Sequence, residues 1–158
     1  MSNNVSDMDS IEACRGLIAS HHVMSLATSS GAGAWSAPVY YYFMDTGFYF
    51  FSGVTSRHIR DAIESRGCCA ASIFEDQCRF DQIRGVQMSG TIDPVSSATK
   101  ALQASAGYMR RFKIKIDTPD ILNFFKTQYH ANLFCFTPVQ LFFMDNSKGF
   151  GTRQEISL

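Results

Sequence analysis

The chain has 158 residues, 46% apolar and 13% aromatic, with fourteen Phe and six Tyr, and its fourteen basic side chains balance fourteen acidic ones. A length near the ~150 residues of one domain predicts a single core that needs no metal or disulfide staple. The apolar content excludes a disordered chain, the aromatics favour strands, and the zero net charge removes the basic footprint of a nucleic-acid binder. The cysteines at 14, 68, 69, 78 and 135 form no Cys-x-x-Cys pair, and the polar, acidic opening is no signal peptide. Together these features read as reduced, mostly buried thiols in a cytoplasmic protein. Gly16 to Met44 lacks Asp, Glu, Lys and Arg, but Ser, His, Gly and Pro interrupt it. Two buried strands around a turn account for it better than a membrane span.

Residues 1–8 are expected to be a flexible N-terminus and 9–158 one domain. Asp9-Ser10-Ile11-Glu12 fits a capping box, and Ile11, Cys14, Leu17 and Ile18 line one face of a helix ending near His21. Val23–Thr28 and Trp35–Phe43 read as strands around a Gly-rich turn, and Asp45-Thr46-Gly47 as a tight hairpin into a third strand, Phe48–Ser52. A short helix over 57–66 follows, with Ile59, Ala62 and Ile63 on its apolar face and Gly67 placed as its left-handed C-terminal residue. Cys68–Phe74 is β-like, and Asp81–Asp93 alternates apolar and polar residues cleanly. A helix over 97–110 precedes another that starts at Thr118-Pro119-Asp120, and Asn132–Met144 is a last apolar strand before a polar, Gly-rich tail. About six strands and four short helices, joined mainly by hairpins, predict a mainly β fold: an antiparallel six-stranded small barrel with flanking helices. Open edges on strands this apolar are a hazard, which favours closure or dimerisation.

The segment Phe50 to His58 carries the best local chemistry. A strand ends, Gly53 allows close backbone approach, and a helix opens with Thr55, Ser56, Arg57 and His58. Free N–H groups and the positive dipole end suit a phosphate, with the hydroxyls and a bidentate Arg as further donors. Ordinary N-capping by Ser56, with Arg57 and His58 in solvent, is the competing reading. The tail Asp145 to Arg153 reads either as a loop over a ligand or partner or as a turn closing the barrel mouth. The four His show no metal-ligand spacing, Gly31-x-Gly33 opens no βαβ helix, and Ser36 has no nucleophile elbow, so no metal site, dinucleotide fingerprint or hydrolase is expected.

The order helix, meander, Ser52-x-x-x-Ser56-Arg57-helix, then Arg84-Gly85-Val86-Gln87-Met88-Ser89-Gly90 on a strand, resembles the FMN-binding split-barrel family typified by pyridoxamine 5′-phosphate oxidase. The tail Asp145-Asn146-x-x-Gly149-Phe150-Gly151 is similar to that of a small uncharacterised branch. The resemblance implies a six-stranded split barrel, a homodimer, and FMN in two grooves at the interface. It makes Ser52, Ser56 and Arg57 the phosphate or ribityl ligands, with His58 standing where many members have Lys; Thr55 joins these cofactor-binding candidates from the local reading of the helix start. It lays Ala37, Pro38, Val39 and Tyr40 along the isoalloxazine edge. Gln87 lies two residues beyond the position of the oxidase's Gln, which Gly85 occupies. The pattern, an aromatic and an Arg ten residues apart, places Phe143 and Arg153 of the partner near the flavin, and Arg153 or Lys148 is the candidate cation near N1. The Arg and Lys that grip the FMN phosphate in the oxidase have no counterpart in Ala37–Tyr42, so oxidation of pyridoxamine phosphate is not expected. A flavin oxidoreductase of unnamed substrate is the first reading. A non-catalytic flavin-sensing dimer and a haem-handling barrel, with His130 or His58 as axial ligand, are the alternatives, and a deazaflavin could take the place of FMN.

Overall fold

The computed structural model describes residues 3–77 and 79–158, and side chains from Met8 onward; Cys78 lies outside them. In chain order the elements are α1 (Asn3–Ser20), β1 (Val23–Ser30), β2 (Gly33–Tyr40), β3 (Tyr42–Met44), β4 (Gly47–Gly53), α2 (Arg57–Glu64), β5 (Cys68–Phe74), β6 (Arg84–Pro94), α3 (Ala98–Arg111), α4 (Ile121–Tyr129), β7 (Ala131–Asp145) and β8 (Arg153–Glu155). Short 3₁₀ turns occupy Phe80–Gln82 and Asn146–Lys148.

One antiparallel sheet runs β2-β1-β5-β6-β7-β4-β3, with β8 added to the end of β7. Its two edges, β2 and β3, are consecutive pieces of one segment. The expected single strand Trp35–Phe43 breaks at Tyr41, pairing with β1 before the break and with β4 after it. The sheet therefore curls into a barrel split between β2 and β3, and eight strands stand where six were expected. Tyr41 is fully buried at the switch; its amide donates to His22 O and its hydroxyl to Ile18 O at 2.7 Å.

The alternation of the strands fills the interior. Met24, Leu26, Phe48, Phe50, Ile73, Val86, Phe134, Phe136 and Phe143 are all at most 3% exposed, and Cys14, Leu17 and Ile18 of α1 join the same core. Each such side chain contributes roughly 1.5–3 kcal/mol by leaving water. The core also accounts for the thiols: burial pushes Cys14 and Cys69 up to about 12, although Cys68 is exposed, against expectation.

Helix boundaries differ from expectation where capping signals compete. α1 begins at Asn3, so Asp9–Glu12 lie inside it and form no capping box. α4 is capped by Asp120, which accepts from the Asn123 amide at 3.0 Å, so Pro119 precedes the cap and does not occupy the first turn. Gly67 does take the left-handed conformation after α2, at φ +85°.

At Ser89/Gly90 the β6–β7 register shifts, leaving Val139 as an extra, exposed residue on β7. A Cβ on Gly90 would lie 2.2 Å from the Thr137 carbonyl oxygen and 2.9 Å from the Phe136 ring. The obstacle is backbone, which cannot rotate away, so Gly90→Ala should cost at least ~2 kcal/mol in urea unfolding; an unchanged midpoint would mean that the bulge relaxes freely.

Candidate functional site

β4 carries Phe48 and Phe50 into the barrel, and the same alternation turns Ser52 inward at the barrel end, where it is half-buried beside Gly53. The Ser56 amide donates to Gly53 O at 3.0 Å, closing the turn into α2. Ser56 holds the extended backbone of an N-cap (φ −63°, ψ 146°), yet its hydroxyl makes no cap bond. It turns instead to Ser52 Oγ at 3.1 Å and His58 Nε2 at 3.3 Å, while Ser52 Oγ lies 2.8 Å from the same Nε2. The ordinary-capping reading therefore fails for Ser56 and His58. Two hydroxyls and an imidazole converge at a helix start whose first amides have no side-chain acceptor. Burial pushes the His58 imidazole below its ordinary value, with Asp61 opposing part of the shift, so the ring is neutral at neutral pH.

Arg57 does not join this triangle. Its Nη2 donates to Ala32 O at 3.3 Å, its Nε lies 3.5 Å from Asp61 Oδ2, and its guanidinium sits 4.5 Å over the Trp35 ring. Asp61, buried at 5% exposure, also accepts from Thr28 Oγ1 at 3.4 Å. Arg57, expected as a phosphate fork, ties α2 to the β1–β2 hairpin, and the i,i+4 spacing to Asp61 brings its guanidinium to that carboxylate. Thr55 is exposed in the turn.

β2 ends the sheet, and its outer edge pairs with no strand. The bond from Tyr41 N to His22 O sets the phase of the β1–β2 ladder. By alternation Ala37 and Val39 turn their backbone polar groups to β1, whereas Ser36, Pro38 and Tyr40 turn theirs to the free edge. Pro38, which has no N–H, fits such a position. Of the four residues expected along a flavin edge, Pro38 and Tyr40 thus have backbone atoms to offer, Tyr40 is also exposed, and Val39 is buried in the core.

The remaining candidates lie elsewhere in the protomer. Gln87 is exposed on β6 between Ser72 and Phe142. Phe143, 2% exposed inside the barrel, is a core residue and is not presented to a partner, which corrects that expectation. Lys148 Nζ donates to Ser10 Oγ at 2.7 Å, tying the tail to α1, and Arg153 is exposed on β8 opposite Met144. Ser52 pairs with Asn132 at the other end of β7, so Arg153 is remote from the Ser52 triangle of its own chain. Thr28, Trp35 and Asp61 were missed in the sequence; only the Arg57/Asp61 spacing hinted at them. Among the described residues, no group of three or more His, Cys, Asp or Glu could hold a metal, and no helix is long and apolar enough to cross a membrane.

No protein-family model matches the chain. A protein of Photorhabdus laumondii, UPF0306 protein plu4501, is 29% identical over 101 residues, which is 63% of this chain and 69% of the relative. Among solved structures, a haem-binding protein from Mycobacterium smegmatis superposes with a TM-score of 0.68 at 18% identity, over 94% of this chain but 57% of that one. The chain thus spans under three-fifths of that protein's length. An FAD-binding protein from Mesorhizobium loti (TM-score 0.63, 14% identity, 92% and 93% covered) is also similar. So is a protein related to general stress protein 26, of the pyridoxinephosphate oxidase family, from Clostridium acetobutylicum (0.63, 15%, 96% and 96%). The chain has the split-barrel fold of these proteins.

The neutral His58 gives the fold a pH dependence. With the native imidazole held below 6.5, the unfolded chain binds the proton more readily. The stabilisation is present above 6.5 and is lost as the pH falls toward the native value. Urea midpoints should fall more steeply between pH 7 and 5 for the native chain than for His58→Gln; parallel curves would show that His58 is not held neutral.

Proposed function

We propose that the chain is an FMN-binding protein whose cofactor phosphate sits at the β4–α2 junction. The carrying observation is the triangle of Ser52, Ser56 and His58 at a helix start with no side-chain cap. A phosphate brings several acceptor oxygens and negative charge, and this corner offers two hydroxyls, one ring nitrogen and outward-facing amides at the positive end of a helix dipole. No carboxylate is hydrogen-bonded within the triangle, and the nearby Asp61 is held by Arg57 and Thr28. The residues present therefore fit a phosphate group.

In this reading the isoalloxazine lies along the free edge of β2, where Pro38 and Tyr40 present backbone groups. Arg57 holds the cradle in place through Trp35 and Asp61 without touching the phosphate itself. A second copy of the chain completes the site across that edge and covers the exposed strand. The partner's Arg153 and the partner's Lys148 are the cations that would stand near the ring. The Asp145-Asn146-x-x-Gly149-Phe150-Gly151 tail is held for this purpose: Asn146 Nδ2 donates to Phe80 O, and its Oδ1 accepts from the Gly151 amide.

Bound FMN would supply hydride transfer at its ring, which makes a flavin-dependent oxidoreductase the first reading of activity. Between Trp35 and Ser52 the sequence has one charged residue, Asp45, so on the proposed flavin strand this chain's part is to bind and orient the ring. A non-catalytic flavin-binding dimer is the alternative, and reduction of the bound flavin by a nicotinamide cofactor separates the two. Haem has weaker support in this chain: His130 stands exposed at the left-handed C-cap of α4, and His58 Nε2 faces the two serines. A Soret band in the purified protein would favour it.

Trp35 is the only tryptophan and lies on the proposed flavin strand, so FMN titration should quench its fluorescence. Ser52→Ala with Ser56→Ala should weaken FMN about a hundredfold or more, at roughly 1.5–3 kcal/mol per hydrogen bond to a charged group. Undiminished affinity in the double variant would place the phosphate elsewhere.

A further inference from the structure

Resting on the phosphate site just described, we propose that anion binding is coupled to uptake of one proton by His58, so that the cradle holds a phosphomonoester dianion against an imidazolium.

The coupling follows from which atoms can donate. In the free protein Nε2 lies 2.8 Å from Ser52 Oγ and 3.3 Å from Ser56 Oγ, and a neutral ring with its proton on Nδ1 accepts from a hydroxyl there. A phosphate dianion has acceptors only. Once it enters, both hydroxyls turn to donate to its oxygens, and Nε2 loses its donor while facing an acceptor. The ring can remain in the cradle only with a proton on Nε2. The field of the dianion favours adding that proton from solution over moving the one on Nδ1, because the added proton creates an opposite charge in a half-buried place. One proton leaves solvent, one N–H bond forms, and nothing else is exchanged.

The ionisable side chains around the triangle can be named one by one, and His58→Gln separates the contribution of His58 from theirs. On α2 itself Arg57 and Asp61 are paired with each other, Arg60 is exposed, and the exposed Glu64 accepts from the Gly31 amide; past the end of α4 the exposed His130 places its carbonyl beside Gly53. β4 and the turn face it with Ser52, Thr55 and Ser56. β1 and β2, packed on α2, bring Thr28 and Trp35, and β7 brings Asn132 opposite Ser52. None of these strand and turn side chains ionises near neutral pH. Burial holds the free ring neutral against the pull of Asp61, so the proton is absent before binding. A permanently charged Lys at this position would bind the same anion with no proton exchanged, so the choice of His makes binding pH-dependent.

The test is FMN affinity from pH 7 to 9, where the phosphate (second pKa near ~6) is almost entirely a dianion. The native chain should lose affinity as the pH rises, by up to tenfold per unit between the free and bound values of His58. Calorimetry at pH 7.5 in two buffers of different ionisation enthalpy should report uptake approaching one proton. His58→Lys should bind with flat affinity over 7 to 8.5, and His58→Gln should bind weakly and without slope over the same range. In the native chain the His58 Cε1–H signal, identified by its loss in His58→Gln, should titrate below 6.5 when free and above it with FMN bound. FMN that binds the native chain with flat affinity and no buffer dependence overturns the coupling and leaves the flavin site standing. FMN that binds neither the native chain nor His58→Lys at any pH removes the flavin site and the coupling together.

Discussion

The barrel depends on one strand serving both of its edges, and Tyr41 is the residue that makes the exchange. Its ring is fully buried, its amide and hydroxyl hold the end of α1, and the Arg111 guanidinium lies 5.6 Å over the ring. The same Arg111 donates to Ala19 O at 3.0 Å and to His21 O, so the last turns of α1 and α3 meet the β2–β3 junction at a single point. Carbonyls that a helix C-terminus leaves without partners are thus satisfied by a cation from another helix. A polar group buried without a partner costs ~1–3 kcal/mol, so loosening any member of this knot exposes the others to that penalty.

The split has a functional consequence. A fully hydrogen-bonded barrel would leave no strand edge, whereas here β2 ends the sheet with the backbone of Ser36, Pro38 and Tyr40 turned outward. Helix α2 is fastened to that strand through Arg57, which touches Ala32, Trp35 and Asp61 together. The donor-rich start of α2 and the free edge of β2 are therefore held in a fixed relation. A ligand with a phosphate at one end and a flat polar ring at the other matches such a pair of features. β2 itself carries no charged side chain.

Much of this was legible in the chain. The alternation of β6, the Asp45-Thr46-Gly47 hairpin, Gly67 after α2 and the polar corner at Ser52–His58 follow from period and turn chemistry, and each is where those signals place it. The misses have local causes. The capping signal at Asp9 is overridden because α1 extends further toward the N-terminus, and the run Trp35–Phe43 hides a change of partner that no hydrophobic period can record. The contacts of Arg57 with Trp35 and Ala32 are not legible because only the fold brings them together. Phe143 has the spacing of an interface aromatic, but the inward phase of β7 places it in the core. Partner choice across distant strands decides these cases, and a linear pattern does not carry it.

If a phosphate group anchors the flavin at the start of α2, FMN and riboflavin, which differ only by that group, should bind the native chain very differently at neutral pH. FMN is expected to bind at least about a hundredfold more tightly, the equivalent of roughly 3 kcal/mol from the cradle. Equal affinities for the two would contradict it, because the Ser52, Ser56 and His58 corner would then contribute nothing to holding the cofactor.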